Sequence, residues 1–305
     1  MSEAAGQGGE RRDRRIAIAL LAPVLLALLY SYPKLVAAPL HVPQDEDYLA
    51  ARAILDAQGF APGQDALALL PPWSLRPLTV LGELDPVSGD ALAEQPMHRF
   101  ARLFVVVEPD AEAAVDALQA RRGPPAFSQE VGRLRVERYD LAAPSVRFDF
   151  RARLGEAVVT LGGAPCTQAA RGGVSCGGEW WRRVTREWLL VSENADDALW
   201  AHPPPKGSTL EISWDAVPMG ELLVVRAGFT REGADQARAP VRMTIFADDL
   251  ELGRVVREPV FAFTTTELDT RALTGRSARV RFVIDTDDNT SARFAFDAYT
   301  AGGTR

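Results

Sequence analysis

The chain has 305 residues, with 34 Lys and Arg against 41 Asp and Glu, a formal net charge of -7 and a pI near 5.2. This acidic balance, with no basic stripe to offset it, excludes nucleic acid as a partner. The length leaves room for two ordinary domains, and the abundance of Ala, Arg, Gly and Pro beside scarce Lys is the usage of a GC-rich bacterial genome.

In chain order, residues 16–32 (IAIALLAPVLLALLYSY) are uncharged and follow Arg11, Arg12, Arg14 and Arg15. As a helix they span about 25 Å, near the short limit for a bilayer. Tyr30, Tyr32 and Lys34 suit the far interface, and the arginines bias the N-terminus to the cytoplasm. The expectation is a basic cytoplasmic segment at 1–15, a transmembrane anchor at 16–32 and a proline-bearing stalk at 33–43. The remainder then faces the periplasm from the inner membrane. A cleaved signal peptide is the rival, with a small-residue site near Val36, Ala37 and Ala38 that Pro39 disfavours.

Residues 44–143 read as a small α/β module. Tyr48, Ala51 and Leu55 share one helical face, behind the acidic run Asp45, Glu46 and Asp47 and before Gly59. Residues 65–70 form an apolar strand, and 75–81 form a helix with Pro77 in its first turn. Residues 102–107 (RLFVVV) form the clearest strand, followed by a helix over 111–121 and strands at 126–130 and 133–139. The segments ALALLPPWSLRPLTVLG, HRFARLFVVVEPDA and RLRVERYDL resemble the soluble C-terminal domain of polyprenol-phosphate-dependent membrane glycosyltransferases. That family's multi-spanning core and acidic catalytic loop are missing here, so no transfer activity carries over. The resemblance implies an accessory module near lipid-linked sugar chemistry.

From 144 to 305 the texture changes to short alternating runs between Gly, Pro, Asp and Asn, which predicts an antiparallel β-sandwich of jelly-roll type. Strands are expected at 146–151, 157–161, 188–191, 209–214, 222–225, 241–247, 260–264, 278–284 and 293–296. Val280, Phe282 and Ile284 alternate with Arg279 and Arg281, as in a sheet with one wet face. The runs LLVVRAG (222–228), VRMTI (241–245) and ARVRFVI (278–284) resemble jelly-roll modules of carbohydrate-binding proteins. That resemblance implies sugar recognition, although a sandwich serves many functions. The overall class is therefore α+β multidomain: membrane helix, α/β sandwich, β-sandwich.

Cys166 and Cys176 lie ten residues apart in a glycine-rich stretch and are expected to form a disulfide in an oxidising compartment. A metal site there would need further ligands. Trp180, Trp181, Trp188, Trp200 and Trp214 fall within 35 residues of one another. An exposed indole stacks on the C–H face of a sugar, while core packing is the competing role, natural for Trp188 and Trp214. Trp180 and Trp181 cannot both point inward from a strand, so that pair is the surface candidate. Trp200 and His202 are candidate ligand contacts; His202 as a general base would need a nucleophile or carboxylate beside it, and its proline-rich setting reads as a turn. Asp285, Asp287 and Asn289 offer oxygens at alternate positions, but Thr290 and Phe296 fail the calcium-loop pattern, and a hairpin turn explains the run.

No phosphate-binding loop, nucleophile elbow or zinc motif is present, and no cofactor is expected. The functional expectation is a non-catalytic, membrane-anchored envelope protein recognising a glycan or an envelope protein. The alternatives are an exported glycan hydrolase, which needs two facing carboxylates, and a structural subunit of a membrane complex.

Overall fold

The computed structural model describes residues 42–302 apart from 73, 75, 85, 88–91, 94, 143–144, 170–172 and 192–194. The first elements are α1 (Asp45–Ala57), β1 (Asp65–Leu70), α2 (Arg76–Leu81), β2 (Arg102–Val107), α3 (Glu112–Arg122), β3 (Phe127–Val131) and β4 (Leu134–Asp140). The backbone N–H of Gln44 donates to Asp47 Oδ2 at 2.8 Å, which fixes the start of α1. β1 and β2 run parallel, β2 and β3 each lie antiparallel to β4, and the sheet order is β1-β2-β4-β3. Tyr48 and Leu55 of α1 and Leu81 of α2 pack on one face, against Leu67, Phe104 and Val136. Val115 and Leu118 of α3 cover the other, against Ala68, Val105 and Tyr139. Burial on both faces is why β1 and β2 are continuous apolar runs.

The second part is a sandwich of two sheets. Its elements are β5 (Val146–Asp149), β6 (Val158–Leu161), β7 (Ala164–Pro165), β8 (Thr167–Gln168), β9 (Val174–Ser175), β10 (Arg183–Leu190), β11 (Ala195–Ala201), β12 (Leu210–Pro218) and β13 (Leu222–Phe229). They continue through α4 (Arg231–Gln236), β14 (Val241–Ala247), β15 (Leu250–Arg257), β16 (Thr264–Asp269), β17 (Ser277–Thr286) and β18 (Phe294–Ala301). One sheet has the order β16-β13-β18-β11-β10-β9-β8, with β5 added on β18; the other is β15-β14-β17-β12-β6-β7. The core between them is aromatic: the Phe150 ring lies 5.0 Å from Trp214 and 5.1 Å from Phe282, both edge-on. Such pairs add about 0.5–1.5 kcal/mol each beyond their buried area. Trp214 also donates its indole N–H to the Arg153 carbonyl at 2.8 Å, so its polar atom is satisfied.

Cys166 follows β7 and Cys176 follows β9, and the two are joined with their Cα atoms 4.3 Å apart. The bond therefore links the β7 edge of one sheet to the β8–β9 edge of the other.

The expected fold class needs correction. The described chain is mostly β-sandwich with few helices, and no helix among the described residues is long and apolar enough to cross a membrane. The longest of these, α1, has 13 residues, about 20 Å, and carries Asp45, Glu46, Asp47, Arg52 and Asp56. The transmembrane helix over 16–32 is thus unsupported, and with it the single-pass inner-membrane localisation. Residues 16–32, the basic segment 1–15 and most of the 33–43 stalk lie outside the described residues.

β18 is buried along its whole length. Phe294, Phe296 and Ala298 enter the sandwich core, whereas Asp297 and Tyr299 alternate onto the opposite face. That face is covered by the segment before β2. Arg99 pairs with both Asp149 and Asp297, the latter at 2.9 Å, and its guanidinium lies 4.4 Å from the Tyr299 ring centre. Asp297 is only 2% exposed, so Arg99 neutralises a charge with no access to water. Replacing Arg99 by Met is expected to cost about 3–5 kcal/mol, because it strands a buried carboxylate. Urea unfolding of the variant measures this, and a loss below about 1 kcal/mol contradicts the assignment.

Candidate functional site

The loop between β9 and β10 carries Trp180 and Trp181. Gly177 and Gly178 adopt φ of 74° and 72°, a left-handed conformation that glycine takes without strain. The loop is closed by the Cys176 N–H donating to the Arg182 carbonyl at 2.8 Å, directly beside the disulfide. Trp180 is 59% exposed, while Trp181 is half-buried, its carbonyl accepting the Trp200 indole N–H at 3.3 Å. Trp200 sits on β11, whose seven-residue antiparallel register with β10 places it opposite Thr185. His202 follows at the end of that strand.

These four side chains form one cluster. Trp180 and Trp200 have ring centres 6.1 Å apart with planes inclined by 32°. His202 lies 4.6 Å from Trp181 and 6.1 Å from Trp200. Pairing of β11 with β18, Trp200 opposite Ala295, brings the turn before β18 alongside. Asn289, Thr290, Ser291 and Arg293 of that turn complete a pocket of about 290 Å³. Arg293 also pairs with Glu232 of α4, and its guanidinium stands 6.0 Å from the Trp180 ring centre. Arg183 approaches Trp180 to 5.7 Å and Arg182 approaches Trp181 to 5.0 Å, both within cation–π range.

His202 Nδ1 lies 2.9 Å from the Pro203 carbonyl, so this nitrogen donates and Nε2 is left as the acceptor. Burial lowers the His202 pKa from its ordinary value of 6.5; the Pro203 hydrogen bond opposes the shift and nearby Arg293 adds to it. The ring is therefore neutral at pH 7. No Asp or Glu is among the described residues lining the pocket. The arrangement offers an exposed indole face, an imidazole acceptor, a guanidinium donor and short polar side chains, which is a binding constellation.

The other candidates fall elsewhere. Trp214 is buried, but Trp188, for which core packing is the expected role, is 60% exposed. Asp285 and Asp287 both face Arg242, the latter at 2.6 Å, so a guanidinium occupies the place of a calcium ion. Among the described residues no group of three or more His, Cys, Asp or Glu is placed to hold a metal. Asn289 belongs instead to the aromatic pocket, together with Thr290, Ser291 and Arg293, which local reasoning did not single out as contacts. Only the β11–β18 pairing brings them to Trp200, and their turn-forming composition carries no hint of it.

No protein-family model matches the chain, and no curated relative matches it. Solved structures similar to it include the second CBM51 and INT domains of Clostridium perfringens ZmpB. That match has a TM-score of 0.32 and 14% identity, over 57% of this chain and 36% of that one. A CBM51 from a Clostridium perfringens GH95 protein, in complex with methyl-galactose, matches with a TM-score of 0.28 and 13% identity. It covers 47% of this chain and 92% of that chain. Carbohydrate-binding modules of the β-sandwich superfamily match with a TM-score of 0.26 and 9% identity, over 54% and 65%. The chain thus spans about a third of the length of the first of these structures. At such TM-scores the likeness carries no argument about the site, which rests on its own residues. The resemblance to polyprenol-phosphate glycosyltransferases is not shown by these comparisons.

The depressed His202 pKa has a consequence for stability. The unfolded chain takes up this proton near pH 6.5, before the folded one does, so stability is full above that pH. It is lost as the pH falls toward the lower folded value. Urea unfolding between about pH 7.5 and pH 5.5 is expected to show a steeper loss for the wild type than for His202→Gln. Equal slopes contradict a buried, neutral His202.

Proposed function

We propose that the chain binds a glycan, without catalysis, through the pocket formed by Trp180, Trp181, Trp200 and His202. The observation that carries this reading is the 59% exposure of Trp180, held beside Trp200 at 6.1 Å and ringed by polar side chains. A large indole left in water on a glycine-bearing loop has a stacking face to offer, and the disulfide beside it limits the loop's freedom. The C–H face of a sugar ring packs on the indole. Its hydroxyls meet the Arg293 guanidinium as donor, His202 Nε2 as acceptor and the Asn289 and Thr290 side chains. The disulfide suits an oxidising compartment, where exported glycans are found. A cell-envelope glycan is the class of ligand this reading favours.

Intrinsic fluorescence suits the test, since binding alters the indole environment. Titration of the full chain with envelope oligosaccharides, including peptidoglycan fragments, is expected to give a saturable shift. Trp180→Ala weakens that binding by at least about tenfold, equivalent to about 1.4 kcal/mol, with an unchanged unfolding midpoint. Titrations that show no shift with any glycan, or an affinity untouched by Trp180→Ala, contradict the assignment.

A further inference from the structure

A second pocket, of about 380 Å³, opens where the last turn of α3 meets the β13–β16 edge of the sandwich. Arg121 and Arg122 of that turn line it, and Met97, Leu141 and Leu222 add apolar surface. It shares no lining residue with the aromatic pocket, and nothing about it rests on the glycan reading.

The two arginines are a cationic pair without a counter-charge. Neither guanidinium has a carboxylate at ion-pair distance among the described residues. Arg121 is exposed and its side chain makes no hydrogen bond there. Arg122 is half-buried, and its one side-chain hydrogen bond runs from Nη2 to the Gln95 carbonyl at 2.7 Å. Nη1 bears none and stays open to solvent, so it is a free donor at the pocket surface; Nε is closed off and takes no part. Burial lowers the Arg122 pKa from its ordinary value, and repulsion from Arg121 adds to the shift. Other part-buried arginines are matched: Arg99 by Asp149 and Asp297, Arg135 by Glu137, Arg226 by Asp196. Arg257, whose pKa burial also lowers, gives its N–H groups to the Ala227, Val256 and Thr264 carbonyls and the Thr266 hydroxyl. Arg122 has neither remedy. Basic side chains in a last helical turn do offset the helix dipole, by about 0.3–1 kcal/mol. That role needs no pocket, and it gives no reason to bury one guanidinium against another.

A cation taken partly out of water is costly until an opposite charge joins it. Glu267, the one acid among the described lining residues, does not supply that charge: it lies 3.9 Å from His98 Nε2 and is 49% exposed. The missing partner is therefore an anion from outside the chain. A guanidinium donates to phosphate and carboxylate oxygens alike, often through two N–H groups at once. A phosphate monoester carries about −1.5 to −2 charges at pH 7, which matches two guanidiniums, whereas a carboxylate matches one. The apolar walls then have the organic part of the ester to cover.

We propose that this pocket binds a small phosphate monoester, its phosphate held by Arg121 and by Arg122 Nη1 and its organic group lying against Met97, Leu141 and Leu222. The lining is drawn from both parts of the chain, α3 on one side and β13 and β16 on the other. A ligand held there binds only the folded chain, so its affinity reads out as stability.

The test is calorimetric titration of the full chain with n-butyl phosphate, inorganic phosphate and pentanoate, the ionic strength matched throughout with sodium chloride. Butyl phosphate is expected to bind saturably at one site, and equally well in Trp180→Ala. Pentanoate, with a similar chain but one charge, binds at least about tenfold more weakly, as does inorganic phosphate, which has no apolar part. Arg121→Gln weakens butyl phosphate about fivefold and Arg122→Gln at least about tenfold, as loss of a charge-assisted hydrogen bond implies. Arg121 is exposed, so its variant keeps the fold and decides the matter even where Arg122→Gln does not fold. The ester also raises the thermal midpoint of the wild type more than that of Arg121→Gln, whereas general exclusion of an anion from protein surface raises both alike. The proposal is overturned if butyl phosphate shows no saturable binding below about 10 mM, or binds Arg121→Gln like the wild type. It is overturned equally by pentanoate or inorganic phosphate binding as tightly as the ester, or by loss of ester binding in Trp180→Ala.

Discussion

The antiparallel pairing of β18 is the constraint on which the aromatic pocket and the Arg99 ion-pair cluster both depend. Hydrogen bonds tie this strand to β13 on one side and to β11 and β5 on the other. Its eight residues are all buried, an arrangement possible only because both faces are covered. Phe294 and Phe296 fill the sandwich core on one face, and Asp297 and Tyr299 meet Arg99 on the other. A one-residue slip would exchange those faces, placing a carboxylate in an aromatic core. Register here is therefore strongly specified, and the turn that precedes the strand is delivered to one place, beside Trp200.

The aromatic pocket is built on this frame from three segments far apart in sequence. The disulfide and the Cys176 to Arg182 hydrogen bond hold the base of the tryptophan loop, β11 supplies Trp200 and His202, and the turn before β18 supplies Asn289 and Arg293. Each component is tied down: the loop base by the disulfide, Trp200 by its ladder with β10, and the turn by β18. Arg293 links the pocket to the rest of the sandwich through Glu232 of α4.

Much of the strand content was legible in the residues. Arg102–Val107 is continuous and β-branched because it is buried on both faces, and Ser277–Thr286 alternates because only one of its faces enters the core. The cysteine pair was legible from spacing and context. Other features were hidden because they are non-local. Ala195–Ala201, with two aspartates and three alanines, has weak intrinsic strand preference and is a strand through its seven-residue ladder with β10. Alternation suits Trp188 to the core, yet it is exposed opposite Asp197 in the β10–β11 ladder. Asp285 and Asp287 fail the calcium-loop pattern in sequence and read as a hairpin turn, but their partner Arg242, more than forty positions away, is not visible locally. The expectation of a membrane-spanning helix, drawn from hydropathy at 16–32, finds no support among the described residues.

The central claim is that sugar stacks on Trp180 in the pocket it shares with Trp200 and His202. A crystal structure of the chain with a bound oligosaccharide, chosen as the tightest in fluorescence titration, tests this most directly. The account predicts a pyranose ring lying over the Trp180 indole, with hydroxyls within hydrogen-bond distance of Arg293 and His202 Nε2. A sugar bound by other residues, with the Trp180 face left bare, would contradict it.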